Sequence, residues 1–293
     1  MHGPPSLVPS SFSALESAST LVRSALAAAR DSDGAPFDPD RLDKRDPAFV
    51  RSLLPALRKI SRSWLSLRVE GAETLRRAPA LFVGNHNGGI MGPDLFATMG
   101  TLWEHLGVDA PLYAMAHDFA MRRVRPLGRM LQRLGGMRAR PENARRVLET
   151  GGMVLVYPGG DLDAYRHFRH RDRVVFGRRT GFVRIAQQMG VPIVPIVAQG
   201  AHRSAIILHE GEWLARTLGL TRWSRIERFP IALALPWGVA LGPWVPYLPL
   251  PLPVRLRVLD PITPRRGDDP CRVQAEVVSA MQRAMDEMAQ AAR

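Results

Sequence analysis

Hydrophobic positions along the chain switch between two spacings, and the switching predicts the architecture. Phe49, Leu53, Leu57, Ile60 and Trp64 recur at helical intervals, with Arg51, Arg58, Lys59 and Arg62 beside them and Pro55 as an expected kink. Such a basic amphipathic helix either lies on an anionic bilayer or docks on the core as an ordinary surface helix. Residues 80–83, Ala-Leu-Phe-Val, form a short apolar run bounded by turn residues, the pattern of a buried strand. Residues 95–106 then read as a helix, 112–116 as a strand and 119–134 as a helix with its basic residues outside. A turn is expected over 135–140, a short helix over 142–149, and a strand over 153–157 that ends in Pro158-Gly159-Gly160. Residues 180–189 read as a helix stopped by Gly190, and 191–197 as a strand before Gly200. Residues 255–259 read as a last strand and 273–293 as a terminal amphipathic helix. Repeated strand–helix units predict an α/β layered fold, with a mostly parallel central sheet flanked by helices. In such folds ligands gather beyond the carboxyl ends of the strands, where His86, Arg138, Gly159 and Gly200 would fall.

Two stretches do not fit the alternation. Residues 12–30 are Ala/Ser-rich with helical spacing but few strong anchors, and 31–47 collect Asp, Gly and Pro. They predict a loose helix and a linker over residues 1–46, ahead of a single catalytic domain over 47–293. Residues 229–254 carry no charge, and 26 such residues are long enough to span a bilayer. Seven prolines, at 230, 236, 243, 246, 249, 251 and 253, exclude a lipid-exposed helix. The segment is expected to be irregular: it lines a hydrophobic tunnel, dips into a membrane interface with Trp237 and Trp244 as anchors, or forms a core loop.

Composition adds little to this picture except charge. The net charge of +13 points to an anionic partner such as nucleic acid, an anionic membrane or a phosphorylated substrate. Of 40 basic residues all but Lys44 and Lys59 are arginine, a skew that a GC-rich genome also produces and that weakens charge as a signal. One cysteine, Cys271, excludes an internal disulfide framework and fits a reducing compartment. The first 13 residues lack a basic start and a long apolar run, so no signal peptide is expected there.

Chemistry concentrates after the strand at 80–83. The chain breaks through Gly84, Asn85, Gly88 and Gly89, and Gly92-Pro93-Asp94 opens the next helix. A Gly-rich loop of this kind can bring His86 and Asp94 together. An imidazole held by a carboxylate, with its other nitrogen free, can take a proton from a substrate hydroxyl. The plain alternative is a satisfied loop histidine and a helix-capping aspartate.

Four blocks in order resemble the lysophospholipid-type glycerolipid acyltransferase superfamily, and more closely its monoacylglycerol/diacylglycerol acyltransferase-like branch. Asn85-His86 with Asp94 resembles the catalytic block, an HxxxxD-like pair in which His is the base and Asp orients it. Gly135-Gly136-Met137-Arg138 stands where the second block supplies substrate contacts. Tyr157-Pro158-Gly159-Gly160 with Asp161 is similar to the third block in its Pro-Gly-Gly form. Gly190-Val191-Pro192-Ile193-Val194-Pro195, followed by Gly200-Ala201-His202, is similar to the fourth. The resemblance covers roughly residues 64–262. It implies transfer of a fatty acyl group from acyl-CoA or acyl carrier protein to a glycerolipid, lysophospholipid or related lipid alcohol, as in phospholipid biosynthesis. It implies no cofactor beyond that co-substrate, and a cytoplasmic protein held peripherally at the inner face of the membrane.

The resemblance has two departures. Seven residues separate His86 from Asp94, more than the family's commonest spacing, and Gly88, Gly89 and Gly92 give the loop freedom to absorb them. Gly159-Gly160 stands where phosphate-acceptor members usually carry Glu-Gly, which leans toward a neutral acceptor.

The expected site is therefore His86 and Asp94 for catalysis, with Asn85, Gly88, Gly89, Arg138, Pro158, Gly159 and Gly160 for substrate. Arg138 and Arg140 are candidate contacts for coenzyme A or head-group phosphates, or else solvated surface charge. The amides of Gly159 and Gly160 would meet a phosphate or oxyanion, or else form a tight strand exit. His167-x-x-His170 lacks the companions of a metal site, so no metal is expected. Asp161 and Asp163 are expected to pair locally with Arg166, and His202 to be a packed loop histidine. Two rivals stand beside catalysis: a non-catalytic lipid binder of the same fold, and a nucleic-acid-binding protein. The second is disfavoured by scattered arginines and the absence of a recognised binding motif. Serine-hydrolase chemistry lacks its Gly-x-Ser-x-Gly elbow, and Cys271 has no histidine block to activate it.

Overall fold

The computed structural model describes residues 37–89, 92–123, 125–220, 226–242, 247 and 249–292, with isolated positions at 19, 23 and 27. Apart from those three positions, the expected helix over 12–30 lies outside the described residues, as does the candidate anchor Trp244. Ten strands are described: β1 (Arg68–Glu70), β2 (Ala80–Gly84), β3 (Leu112–Ala116), β4 (Gly136–Arg138), β5 (Met153–Val156), β6 (Ile193–Gln199), β7 (Ile206–His209), β8 (Ile231–Ala234), β9 (Gly238–Leu241) and β10 (Arg255–Val258). The helices are α1 (Pro47–Ser63), α2 (Pro93–Leu106), α3 (Arg125–Arg133), α4 (Pro141–Glu149), α5 (Gly160–Ala164), α6 (Gly181–Met189), α7 (Glu212–Thr217) and α8 (Pro270–Gln290).

Seven strands make the central sheet in the order β1-β10-β6-β2-β5-β3-β4. β6, β2, β5, β3 and β4 run parallel, and β10 joins β6 antiparallel. Alternate residues of one strand feed two cores, as the strand period of two requires. On one face Ala80, Phe82, Met153, Leu155, Val194 and Ile196 pack under α1 and α2. On the other Leu81, Val83, Val154, Ile193 and Val197 pack under α4, α6 and α8. Both faces of the parallel strands are covered, which is why they read as continuous apolar runs rather than alternations.

Local signals set the helix ends. Asp46 accepts the Phe49 amide at 2.9 Å and Pro47 opens α1. Gly190, at φ 65°, closes α6, and Asp269 caps α8 through the Cys271 amide. α1 runs on through Pro55 and buries Phe49, Val50, Leu53 and Leu57 in the first core. Its apolar face is used up there, so it is a docked helix and not a bilayer-lying one.

Several expectations are corrected. The described part of the 31–47 segment is fastened to the sheet edge rather than free: Gln132 donates to Asp38 O and Arg41 O, Tyr113 to Leu42 O, and Arg133 pairs with Asp46 at 2.8 Å. Residues 135–140, expected as a turn, include the edge strand β4. The helix expected over 119–134 is a π-helical turn at Phe119–Arg123 followed by α3. The uncharged 229–254 segment contains the hairpin β8–β9, which pairs antiparallel with β7 in a separate three-stranded sheet. Both faces of that hairpin are apolar, so it shows no period-two signal in the sequence. β1, β7 and α7 were likewise unmarked. No described helix is long and apolar enough to cross a membrane.

Leu102 of α2 is fully buried in the first core. Leu102→Ala is expected to cost about 2–5 kcal/mol, read as a lowered denaturation midpoint with unchanged slope.

Candidate active site

β2 ends at Gly84, and the chain leaves the sheet between β5 and β6, at the carboxyl end of the parallel strands. Asn85 is fully buried and takes the place of a strand partner: its Nδ2 donates to Ala198 O at 3.0 Å and its Oδ1 accepts the Ala198 amide at 2.8 Å. Asn87 Nδ2 donates to the same carbonyl at 3.0 Å. The loop then turns back through Gly88 and Gly89, at φ 67° and 80°, where a side chain would be strained. A Cβ on Gly92 would lie 1.9 Å from Asn87 O, so only glycine lets the loop close on itself.

That closure brings His86 to Asp94 across the seven intervening residues. His86 Nδ1 lies 2.9 Å from Asp94 Oδ2, which also accepts the Asn87 amide at 3.3 Å. Asp94 is fully buried in the first turn of α2, where the helix dipole favours a negative charge. The Tyr157 ring lies over the imidazole, with centroids 4.9 Å apart. His86 Nε2 has no hydrogen-bond partner among the described residues, and the side chain is 13% exposed. A neutral His86 that donates from Nδ1 keeps Nε2 as an acceptor, the arrangement a general base requires.

A second buried cluster holds this loop from behind. Asp163 of α5 accepts the His86 amide at 2.5 Å and the Val175 amide at 3.0 Å, and pairs with Arg166 at 3.1 Å. Arg166 is almost fully buried, and its guanidinium also reaches His86 O at 2.7 Å, Asn87 Oδ1, His170 O and Arg171 O. His202 Nδ1 accepts the Gly88 amide at 3.0 Å while its Nε2 donates to Arg166 O at 2.8 Å. The hydroxyl of Tyr247 donates to Gly88 O. Every peptide from 86 to 89 is thereby tied to another element, since Gly89 donates to Ala164 O.

The charges of these groups follow from their surroundings. Burial disfavours a charged His86, but the adjacent Asp94 carboxylate, with help from Asp163, outweighs it and raises the ring above its ordinary 6.5. Burial pushes Asp163 up to about 6, against the pull of the Arg166 guanidinium and of the His86 and Val175 amides. Burial and then Arg166 hold His202 well below its ordinary value, which fits the neutral ring its two hydrogen bonds demand.

Not every expected residue joins this site. Arg138 is buried on edge strand β4, three strands from β2, with Asp118 and Asp40 both at 2.8 Å. These carboxylates raise it and occupy its guanidinium, so it builds the sheet edge and is not free for a phosphate. Arg140 is exposed. Pro158 and Gly159 are buried, and their carbonyls accept from Arg179 at 3.2 and 2.7 Å. The Gly160 amide donates to Tyr157 O at 3.1 Å. A Cβ on Gly159 would meet Asp163 Cβ at 2.4 Å, so these glycines make a tight strand exit in which the Gly160 amide is already engaged. Asp163 pairs with Arg166 as expected, whereas Asp161 pairs with Arg179 at 3.0 Å. His167 and His170 line an open cavity of about 610 Å³ with His209, Glu210, Trp213 and Arg228, to which His86 does not contribute. Among the described residues no three His, Cys, Asp or Glu side chains are grouped to hold a metal ion. The holding roles of Arg166, Asn87 and Tyr157 were not foreseen; the three-residue step from Asp163 to Arg166 was the one hint.

Arg166→Met would leave the buried Asp163 charge unpaired, at an expected cost of about 3–5 kcal/mol in denaturant unfolding. Adding Asp163→Asn to that chain is expected to recover part of the loss, because the two groups are coupled.

Known proteins resemble this chain in sequence and fold. A family model described as Acyltransferase matches residues 66–199, the span from β1 to β6. An uncharacterized protein of Mycobacterium tuberculosis is 30% identical over 206 residues, covering 67% of this chain and 57% of the relative. The DGAT1/2-independent enzyme synthesizing storage lipids of Bos taurus is 26% identical over 196 residues, covering 64% of this chain and 54% of the relative. The chain thus spans little more than half the length of these curated relatives. The crystal structure of the 1-acyl-sn-glycerophosphate (LPA) acyltransferase PlsC from Thermotoga maritima matches with a TM-score of 0.50 at 17% identity, over 82% of this chain and 81% of that one. The stretch matched by the Acyltransferase family model encloses the His86–Asp94 loop and the strand exits that hold it, and the fold is shared with the Thermotoga maritima structure.

Proposed function

We propose that this chain transfers a fatty acyl group from an acyl thioester to the hydroxyl of a lipid, with His86 as general base and Asp94 as its orienting carboxylate. The observation that carries the reading is the 2.9 Å contact from His86 Nδ1 to a fully buried Asp94, with Nε2 left as the acceptor.

The acceptor hydroxyl gives its proton to His86 Nε2 as its oxygen attacks the thioester carbonyl carbon. Asp94 stabilises the imidazolium that forms. Collapse of the tetrahedral intermediate breaks the C–S bond, and the departing thiolate takes the proton back from His86. The products are a lipid ester and a free thiol. No acyl-enzyme is required, because holding two substrates in register already removes much of the barrier. Either acyl-CoA or acyl carrier protein supplies a thioester of this kind.

A neutral lipid alcohol is the acceptor best supported. Arg138, Arg166 and Arg179 are engaged by carboxylates and backbone carbonyls, so none of them offers a bare charge to an acceptor phosphate. The Gly159-Gly160 strand exit points the same way, and so does the storage-lipid description of the Bos taurus relative.

The test is free-thiol release from long-chain acyl-CoA and acyl carrier protein against diacylglycerol, monoacylglycerol, a long-chain alcohol and lysophosphatidic acid. His86→Ala is expected to lower acceptor-dependent release about 10²–10⁴-fold while lipid binding persists. Undiminished release would remove His86 as base, and wild-type silence with intact lipid binding would leave a non-catalytic binder. Because the base must be neutral and Asp94 raises its pKa, kcat/KM is expected to fall on the acid side with a midpoint above 6.5. Asp94→Asn is expected to move that midpoint to lower pH as well as slow the reaction.

A further inference from the structure

The small sheet β7–β9 has its side chains the wrong way round for a water-soluble surface. Its inner face carries Ile207, Ala232, Ala234 and Ala240, buried against Ala164, Tyr165 and Ala205. Its outer face carries the larger side chains. Leu233 stands opposite Val239 and Ile231 opposite Leu241, with Ile206 next to Leu233 on β7. Leu208, Leu233, Leu235, Trp237, Val239 and Leu241 are each 40–59% exposed. Antiparallel sheets that face water alternate apolar inside with polar outside. Here alanine is inside and leucine, valine and tryptophan are outside, a pattern that stabilises the fold little and fits a covered surface. Of the ten large hydrophobic residues exposed in the described chain, six lie on this sheet and its turn, and Trp213 and Leu218 follow β7 directly. Contiguous exposed apolar patches of this kind mark interaction surfaces.

We propose that the outer face of β7–β9 docks on an anionic lipid bilayer, with Trp237 at the hairpin turn as its interfacial anchor. Two observations select this partner over a second copy of the chain. The protein carries +13, so like copies repel, whereas an anionic surface attracts it. The sequence entering the hairpin carries Arg216, Arg222, Arg225 and Arg228 ahead of the uncharged 229–254 segment, although Arg228 pairs with Glu210 and Glu212, and Arg216 with Glu212. Arginines in the sequence that leads into an apolar, tryptophan-bearing face match a bilayer interface, where head groups meet acyl chains. The position also serves the reaction, and here the inference rests on the acyltransferase reading. The inner face of the same sheet borders a narrow cavity with Gly88, Gly89, Tyr165 and Tyr247, beneath the His86 loop. Docking of the outer face would set the bilayer one sheet away from the Gly88–Gly89 turn of the His86 loop.

The test is co-sedimentation of the full chain with vesicles of phosphatidylglycerol and phosphatidylcholine in equal parts, and with phosphatidylcholine alone, in the absence of acyl donor. Two variants are compared with wild type: Trp237→Ser, and Leu235→Ser with Val239→Ser. These side chains are exposed, so thermal unfolding is expected to be unchanged. Wild type is expected to bind the mixed vesicles, more weakly as salt rises, and both variants to bind at least tenfold more weakly. Thiol release with a short-chain, water-dispersed acceptor is expected to stay at the wild-type rate in both variants, while release with a vesicle-embedded acceptor falls with binding. Equal vesicle binding by wild type and variants would overturn the proposal. So would a wild-type dimer that the variants dissociate and that ignores vesicles, since the face would then join two copies. Vesicle binding is read without turnover, so silence in the thiol assay would defeat the acyltransferase reading and leave the docking result standing.

Discussion

The buried pair of Arg166 and Asp163 is what the functional end of this molecule depends on. A guanidinium and a carboxylate removed from water are costly unless their remaining hydrogen bonds are met. Here they are met by the loops that must be held: Asp163 takes the His86 amide, and Arg166 takes the His86 carbonyl, the Asn87 side chain and two carbonyls of the 170–171 turn. Loops leaving β2 and β5 have no sheet hydrogen bonds of their own, and this pair supplies them. The desolvation cost becomes a positional constraint, because any displacement of the His86 peptide would strand a buried charge.

Around that constraint the His86–Asp94 pairing survives a long loop. A flexible loop loses entropy on closure, and more residues cost slightly more. The loop offsets this with fixed ends and fixed peptides. Asn85 and Asn87 tie its start to β6 through Ala198, His202 and Tyr247 hold Gly88 from both sides, and Pro93 begins α2 at a set angle. His202 serves this purpose because it is neutral, accepting with one nitrogen and donating with the other. Arg166 and Arg179, close behind the loop, spend their donors on carbonyls and carboxylates of the chain itself.

The β7–β9 sheet extends the same economy to the surface. Small alanines on its inner face let the sheet sit close to the Gly88–Gly89 turn, where larger residues would push it off. The bulk that would normally fill such a face is carried outward instead. The Gly88–Gly89 turn and the apolar outer surface are therefore two sides of one thin layer.

The sequence by itself determined the parallel core, the meeting of His86 with Asp94, and the likeness to the acyltransferases. Those features rest on local signals: uninterrupted apolar runs for doubly covered strands, Pro93 and Asp94 for a helix start, glycines where the backbone must turn back. Only the tertiary structure decided the rest, because it depends on partners distant in sequence. Arg138 looked like an open phosphate contact until Asp40 and Asp118, 98 and 20 residues away along the chain, closed on it. The 229–254 segment looked irregular because both faces of its hairpin are apolar, and only pairing with β7 distinguishes inside from outside. Arg166 was one arginine among 38 in composition. Its place at the centre of the site follows from burial, which no local pattern records.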